Sequence, residues 1–127
     1  MTDRVLDASA LLAFLGGEPG GEAVGPMLEA SLVSAVNMAE VMTKLVDRGI
    51  GAVQAAEVIR ALPCRVTAFD LEAGLAAGAL RSATVHRGLS LGDRACLALG
   101  RAEQLPVLTA DCAWAALDLG VEVVLIR

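Results

Sequence analysis

At 127 residues, 56% of them apolar, the chain is long enough and hydrophobic enough for one compact domain spanning 1–127, which excludes the disordered class. Its formal charge of −5 opposes the basic surface usual in phosphate binders, yet setting four carboxylates aside around a cation leaves only −1, so charge does not decide the partner. No apolar run approaches the roughly 20 residues needed to cross a bilayer, and Asp3 and Asp7 interrupt the apolar start, so a cytoplasmic protein without a membrane partner is expected.

In chain order, residues 3–7 read as a short strand and ASALLAFL as a helix after it. GGEPGGE breaks that helix, because proline lacks an N–H and glycine is flexible. Residues 21–30 suggest another short helix and SLVSA a strand. NMAEVMTKLVDRG is a helix closed by Gly49, and GAVQAAEVIRAL is a further amphipathic helix stopped before Pro63. CRVTAF is a strand, DLEAGLAAGALRSAT a helix capped by Asp70, ATVHRGLS a loop, and LGDRACLALGRAEQ a helix. PVLTA is a strand ending at Asp111, CAWAALDLG a short helix, and VEVVLI the closing strand. Helices alternating with short apolar strands predict an α/β domain with a mostly parallel sheet flanked by helices on both faces. Cys64, Cys96 and Cys112 form no CxxC pair, and the lone His86 completes no zinc site. The three are therefore expected to be small buried residues in a reducing compartment.

Three acids share one address. Asp7 and Asp111 end strands, and Asp93 lies in the first turn of its helix. In a parallel sheet the strand C-termini and the following helix N-termini form one edge, where ligands bind. Glu40 follows the strand SLVSA within about a turn of helix, so four carboxylates can gather at that edge. Capping is the ordinary explanation for each, and Ser90-Leu-Gly-Asp93 has capping-box spacing. Helical projection separates two of them. Asp93 shares a face with Cys96, Leu97 and Gly100, where an unpaired carboxylate is costly. Glu40 lies with Thr43, Lys44 and Asp47, and periodicity alone makes it a solvated acid.

VLDASALLAFL, NMAEVMTKL, LSLGDRACLALG and VLTADCAWA, in this order, resemble the successive acidic motifs of the PIN-domain family, most closely its small VapC-type toxins. The resemblance spans nearly the whole chain. It implies a three-layer α/β fold and an acidic Mg²⁺ or Mn²⁺ site on Asp7, Glu40, Asp93 and Asp111, with Thr109 and Ser9 in supporting roles. Asp7 and Asp93 are the expected direct ligands; Glu40 and Asp111 are expected as outer ligands, a second-metal site or water-positioning groups. Hard oxygen donors suit such cations, which acidify a water for in-line attack on a phosphodiester. The implied activity is an endoribonuclease leaving 5′-phosphate and 3′-hydroxyl ends.

Arg81, Arg87 and Arg94 are candidate grips on substrate phosphates. With no Tyr and few other aromatics, RNA is expected to be recognised through shape and backbone. The resemblance also implies a small antitoxin whose segment crosses the acidic cleft, and a homodimer. RNA processing without a toxin role, or a PIN fold kept as a protein-binding module, are the alternatives. A haloacid-dehalogenase-like phosphatase is disfavoured by Ser9 where its second Asp would stand. A receiver domain is disfavoured because the only lysine, Lys44, lies in a helix.

Overall fold

The computed structural model describes residues 1–127. Five short strands, β1 (Arg4–Leu6), β2 (Ser31–Ser34), β3 (Arg65–Thr67), β4 (Val107–Thr109) and β5 (Val123–Leu125), form one sheet in the order β3-β2-β1-β4-β5. Every neighbouring pair is parallel, so the sheet is wholly rather than mostly parallel. The connections carry seven α-helices: α1 (Ala8–Gly16), α2 (Gly21–Val24), α3 (Ala35–Asp47), α4 (Ala52–Ala61), α5 (Leu71–Ala79), α6 (Arg81–Thr84) and α7 (Leu91–Glu103).

The three central strands, β2, β1 and β4, are buried on both faces, while the edge strands β3 and β5 are largely exposed, and successive residues point to opposite sides. Leu6, Val33 and Leu108 join Leu11 of α1, Val41 and Leu45 of α3 and Ala55 of α4 in one core. Val5, Leu32 and Val107 join Ala77 of α5, Cys96 and Leu97 of α7 and Trp114 in the other. The result is three layers, helices over sheet over helices. No helix is long and apolar enough to cross a membrane.

Several local expectations need correction. Residues 21–30 are not one helix, because α2 passes into a 3-10 helix over Gly25–Ala30 that has Pro26 in its first turn. The stretch from Asp70 to Thr84 divides at Leu80, which is buried, into α5 and α6; Asp70 does cap α5 through Ala73 N–H at 3.0 Å. The predicted loop ATVHRGLS is largely helical turn, with a 3-10 turn at Val85–Arg87 following α6. CAWAALDLG yields a 3-10 helix at Cys112–Ala116 only. Helix α3 begins two residues before Asn37, because Ser34 accepts from Val36 N–H at 3.2 Å and caps it. It ends as expected, with Gly49 at φ 92°, a conformation that favours glycine.

The cysteines differ from one another. Cys96 is buried and Cys64 half-buried, but Cys112 is exposed, and none forms a disulfide. Cys112 opens a surface 3-10 turn whose one fully buried side chain is Trp114.

Candidate active site

The chain starts at the centre of the sheet, builds outward through β2 and β3, then returns to β4 on the other side of β1. The C-terminal ends of β1 and β4 therefore flank the point where strand order reverses, the usual place for a ligand crevice in an open parallel sheet. Asp7 follows β1, and Asp111 lies two residues beyond β4. Register brings them together: Leu6 pairs with Leu108, and Asp7 N–H donates to the Leu108 carbonyl at 3.1 Å.

Asp7 is 5% exposed and closely held. Thr109 Oγ1 donates to Oδ2 at 2.6 Å, Ser9 Oγ lies 2.7 Å from Oδ1 and 2.9 Å from Oδ2, and Ala10 N–H donates to Oδ1 at 2.9 Å. The two hydroxyls are fixed in turn. Ala110 N–H donates to Ser9 Oγ at 2.9 Å, and Asp111 N–H donates to Thr109 Oγ1 at 3.0 Å. Burial pushes the Asp7 carboxyl above its ordinary pKa; these hydrogen bonds oppose the shift, and the charge of Asp93 adds to it.

The helix-borne acids complete the cleft. Asp93 Oδ2 accepts from Ser90 N–H at 2.9 Å while Asp93 N–H donates to Ser90 Oγ at 3.2 Å, a full capping box on α7. Asp7 and Asp111 cap as well, through Ala10 and Ala113. Capping and convergence are therefore not alternatives: the bonds that end each helix also aim its acid at the shared edge. Asp93 does sit on the packed face with Cys96, Leu97 and Gly100. Glu40 departs from the helical projection. It is half-buried rather than solvated, because the first turn of α7 lies against it and Asn37 Nδ2 donates to its Oε1 at 2.8 Å.

A cleft of about 210 Å³ is lined by Asp7, Ser9, Glu40, Asp93 and Asp111 together with Asn37 and Lys44. Beneath it, burial raises the Cys96 thiol well above its ordinary pKa, and the charges of Asp7, Asp93 and Glu40 all add to the shift. Sequence reasoning missed Asn37 and Lys44 as site residues. Lys44 stands one turn beyond Glu40, the i+4 spacing that shares a helix face, which was the available signal. Asn37 is 1% exposed, and no signal in the sequence marked it, because a helix read from Asn37 leaves the amide at its boundary.

The arginines are elsewhere. Arg94 Nη1 donates to the Ala77 carbonyl at 3.1 Å and its Nε is buried without a partner, so this side chain ties α7 to α5 instead of facing the cleft. Arg81 and Arg87 are exposed, on α6 and the following 3-10 turn, and neither lines the cleft.

As placed, no three His, Cys, Asp or Glu side chains are arranged to hold a metal ion among them. The donor set nevertheless fits a hard divalent cation in kind. It consists of carboxylate oxygens, one of them buried beside another negative charge at a cost that a cation would relieve.

The profile of the PIN domain family matches residues 4–119, and the chain belongs to that family. No curated protein matches it. Among solved structures, it is similar to a chain of a toxin–antitoxin complex from Klebsiella pneumoniae, at 20% identity and a TM-score of 0.75, covering 98% of each chain. It is also similar to a chain of the DNA-bound VapBC of Salmonella typhimurium, at 14% identity and 0.77, covering 100% of each. A third is VapC20 of Mycobacterium tuberculosis, a toxin that cleaves the sarcin–ricin loop, at 18% identity and 0.72, covering 94% of this chain and 98% of that one. At these identities the likeness shows the shared fold.

Proposed function

We propose that the chain is a Mg²⁺- or Mn²⁺-dependent endoribonuclease, the cytoplasmic toxin of a toxin–antitoxin pair. The observation that carries this is the convergence of Asp7, Glu40, Asp93 and Asp111, from four separate parts of the fold, on one cleft. Membership of the PIN family and the toxin–antitoxin setting of its structural neighbours support it.

Asp7 and Asp93 would hold the cation directly, with Glu40 and Asp111 as outer ligands or orienting groups for the attacking water. When bound, the cation would supply positive charge against the phosphodiester and lower the pKa of a water. Thr109 and Ser9 hold the carboxylate of Asp7 in one orientation at the cleft. Lys44 is the one cationic side chain lining the cleft and makes no ion pair, so it is free to meet a substrate phosphate beside the acids. Arg81 and Arg87 stand exposed outside the cleft. The partners that follow are RNA, an antitoxin whose segment covers the acids, and a second copy of the chain.

The test is cleavage of a panel of single-stranded and folded RNAs with Mg²⁺, with Mn²⁺ and with chelator, using wild type and Asp93→Asn. The expected result is cation-dependent cutting that the substitution lowers by about 100-fold or more, as for loss of a preorganised charged group. Cutting that persists in chelator, or in Asp93→Asn, would refute the mechanism. Intact RNA together with no binding of either cation would favour the protein-binding module.

A further inference from the structure

The strand-end acids are aimed by the backbone, but Glu40 sits in the second turn of α3 and needs another device. Two observations supply one. Asn37 is 1% exposed and gives Nδ2 to two acceptors, Glu40 Oε1 at 2.8 Å and the Gly92 carbonyl at 3.0 Å. Both partners accept, which fixes the orientation of the amide: only its NH₂ can face them, and Oδ1 is left buried and unpartnered. A buried unpaired carbonyl is costly, and an apolar residue at this position of α3 would avoid that cost. Independently, a Cβ built on Gly92 would overlap all three atoms of the Glu40 carboxylate. The carboxylate of α3 therefore occupies the volume that any other residue at 92 would fill, one position before Asp93 on α7.

We propose that Asn37 and Gly92 form a seat for the Glu40 carboxylate, which sets the spacing between the α3 acid and Asp93 and so tunes the cleft for a divalent cation. Asn37 is a positioning residue in this scheme: it acts through Glu40 and through the α7 backbone, and Gly92 acts by leaving room. The inference rests on the metal-site reading above and adds to it the pair of residues that makes the helix half of the site rigid. Alanine normally strengthens a helix relative to glycine, so α7 forgoes stability at Gly92, and α3 forgoes an apolar core position at Asn37.

Two cycles test it, neither using catalysis. In the first, thermal unfolding is followed without metal for wild type, Gly92→Ala, Glu40→Ala and the double variant. Gly92→Ala is expected to fall short of the gain that helix propensity gives, because the added Cβ pushes the end of Glu40 off Asn37, and the shortfall should largely vanish once Glu40→Ala empties the seat. In the second, Mn²⁺ alone is titrated by electron paramagnetic resonance into wild type, Asn37→Ala, Glu40→Gln and their double variant. Asn37→Ala is expected to weaken Mn²⁺ about ten-fold or more, the scale for residues that orient a ligand, but by less than about two-fold when Glu40 is already Gln. Equal effects in both backgrounds, in either cycle, would overturn the seat. A wild type that binds no Mn²⁺ would instead overturn the metal-site reading, whatever the unfolding cycle gives.

Discussion

The cleft has two halves that are built differently. On the strand side, Asp7 and Asp111 leave the ends of adjacent parallel strands, and the hydroxyls of Ser9 and Thr109 bind Asp7 and the backbone between the two acids. On the helix side, Glu40 and Asp93 come from α3 and α7, which are joined there through Asn37 and the Gly92 carbonyl. Backbone register places the first pair and side-chain contacts place the second. Register is enforced by every hydrogen bond in the sheet and by the alternation of buried faces, whereas a helix-borne carboxylate is only as well placed as its few neighbours make it. The strand half should therefore tolerate substitution on the helices, and the helix half should be the more easily detuned.

The largest expected effect on stability is at Thr109, which is fully buried and whose hydroxyl serves Asp7 as donor and Asp111 N–H as acceptor. Thr109→Val keeps the shape and strips both partners, so unfolding by denaturant should show a loss of about 1–3 kcal/mol. Ser9→Ala, at a half-buried position that water can reach, should lose less. If the two variants lose equally, the strand half is not organised around Thr109.

A second expectation concerns acid. The folded-state pKa of Asp7 is raised above its ordinary 3.8, so the folded chain holds that proton more tightly than the unfolded chain does. Its contribution to stability is thus fully present below 3.8 and is lost as pH rises through the raised value, the reverse of a salt-bridged acid. Metal-free Asp7→Asn should match wild type in strong acid and melt at a higher temperature at neutral pH, since Asn still caps a helix. Addition of Mg²⁺ should then favour wild type. A melting-temperature difference that stays constant with pH would contradict the assigned burial cost.

The smallest effect is chemical. Cys112, exposed beside Asp111, should react quickly with an aromatic disulfide reagent. Cys96, buried beneath the acids with its thiol pKa raised, should stay silent until the chain unfolds. Early reaction of Cys96 would mean that the floor of the cleft opens.

The same contrast explains what the sequence made legible. Asp7 and Asp111 could be placed from it because a strand-end address needs only apolar runs and their order. Asp93 followed from the apolar stripe of Cys96, Leu97 and Gly100. Glu40 could not be placed that way, since its own helix face is shared with Thr43, Lys44 and Asp47, and what buries it is Gly92 of a helix fifty residues later in the chain. Only the resemblance in motif order pointed to it. Arg94 illustrates the converse: adjacency to Asp93 suggested a phosphate grip, but one residue along a helix turns the side chain through roughly 100°, here toward the Ala77 carbonyl. Asn37 is hidden in the sequence because the helical pattern begins only at NMAEV, which puts the amide at the helix boundary, whereas the Ser34 cap starts α3 at Ala35 and carries Asn37 into the buried first turn.

The most direct test of the account is whether the two halves share one cation site. Mn²⁺ binding should be measured on wild type and on Asp7→Asn, Glu40→Gln, Asp93→Asn and Asp111→Asn, each checked for native unfolding behaviour. All four substitutions should weaken Mn²⁺, with Asp7→Asn and Asp93→Asn the most damaging. Loss confined to Asp7 and Asp111, with full affinity in the Glu40 and Asp93 variants, would contradict it and leave the helix acids as caps alone.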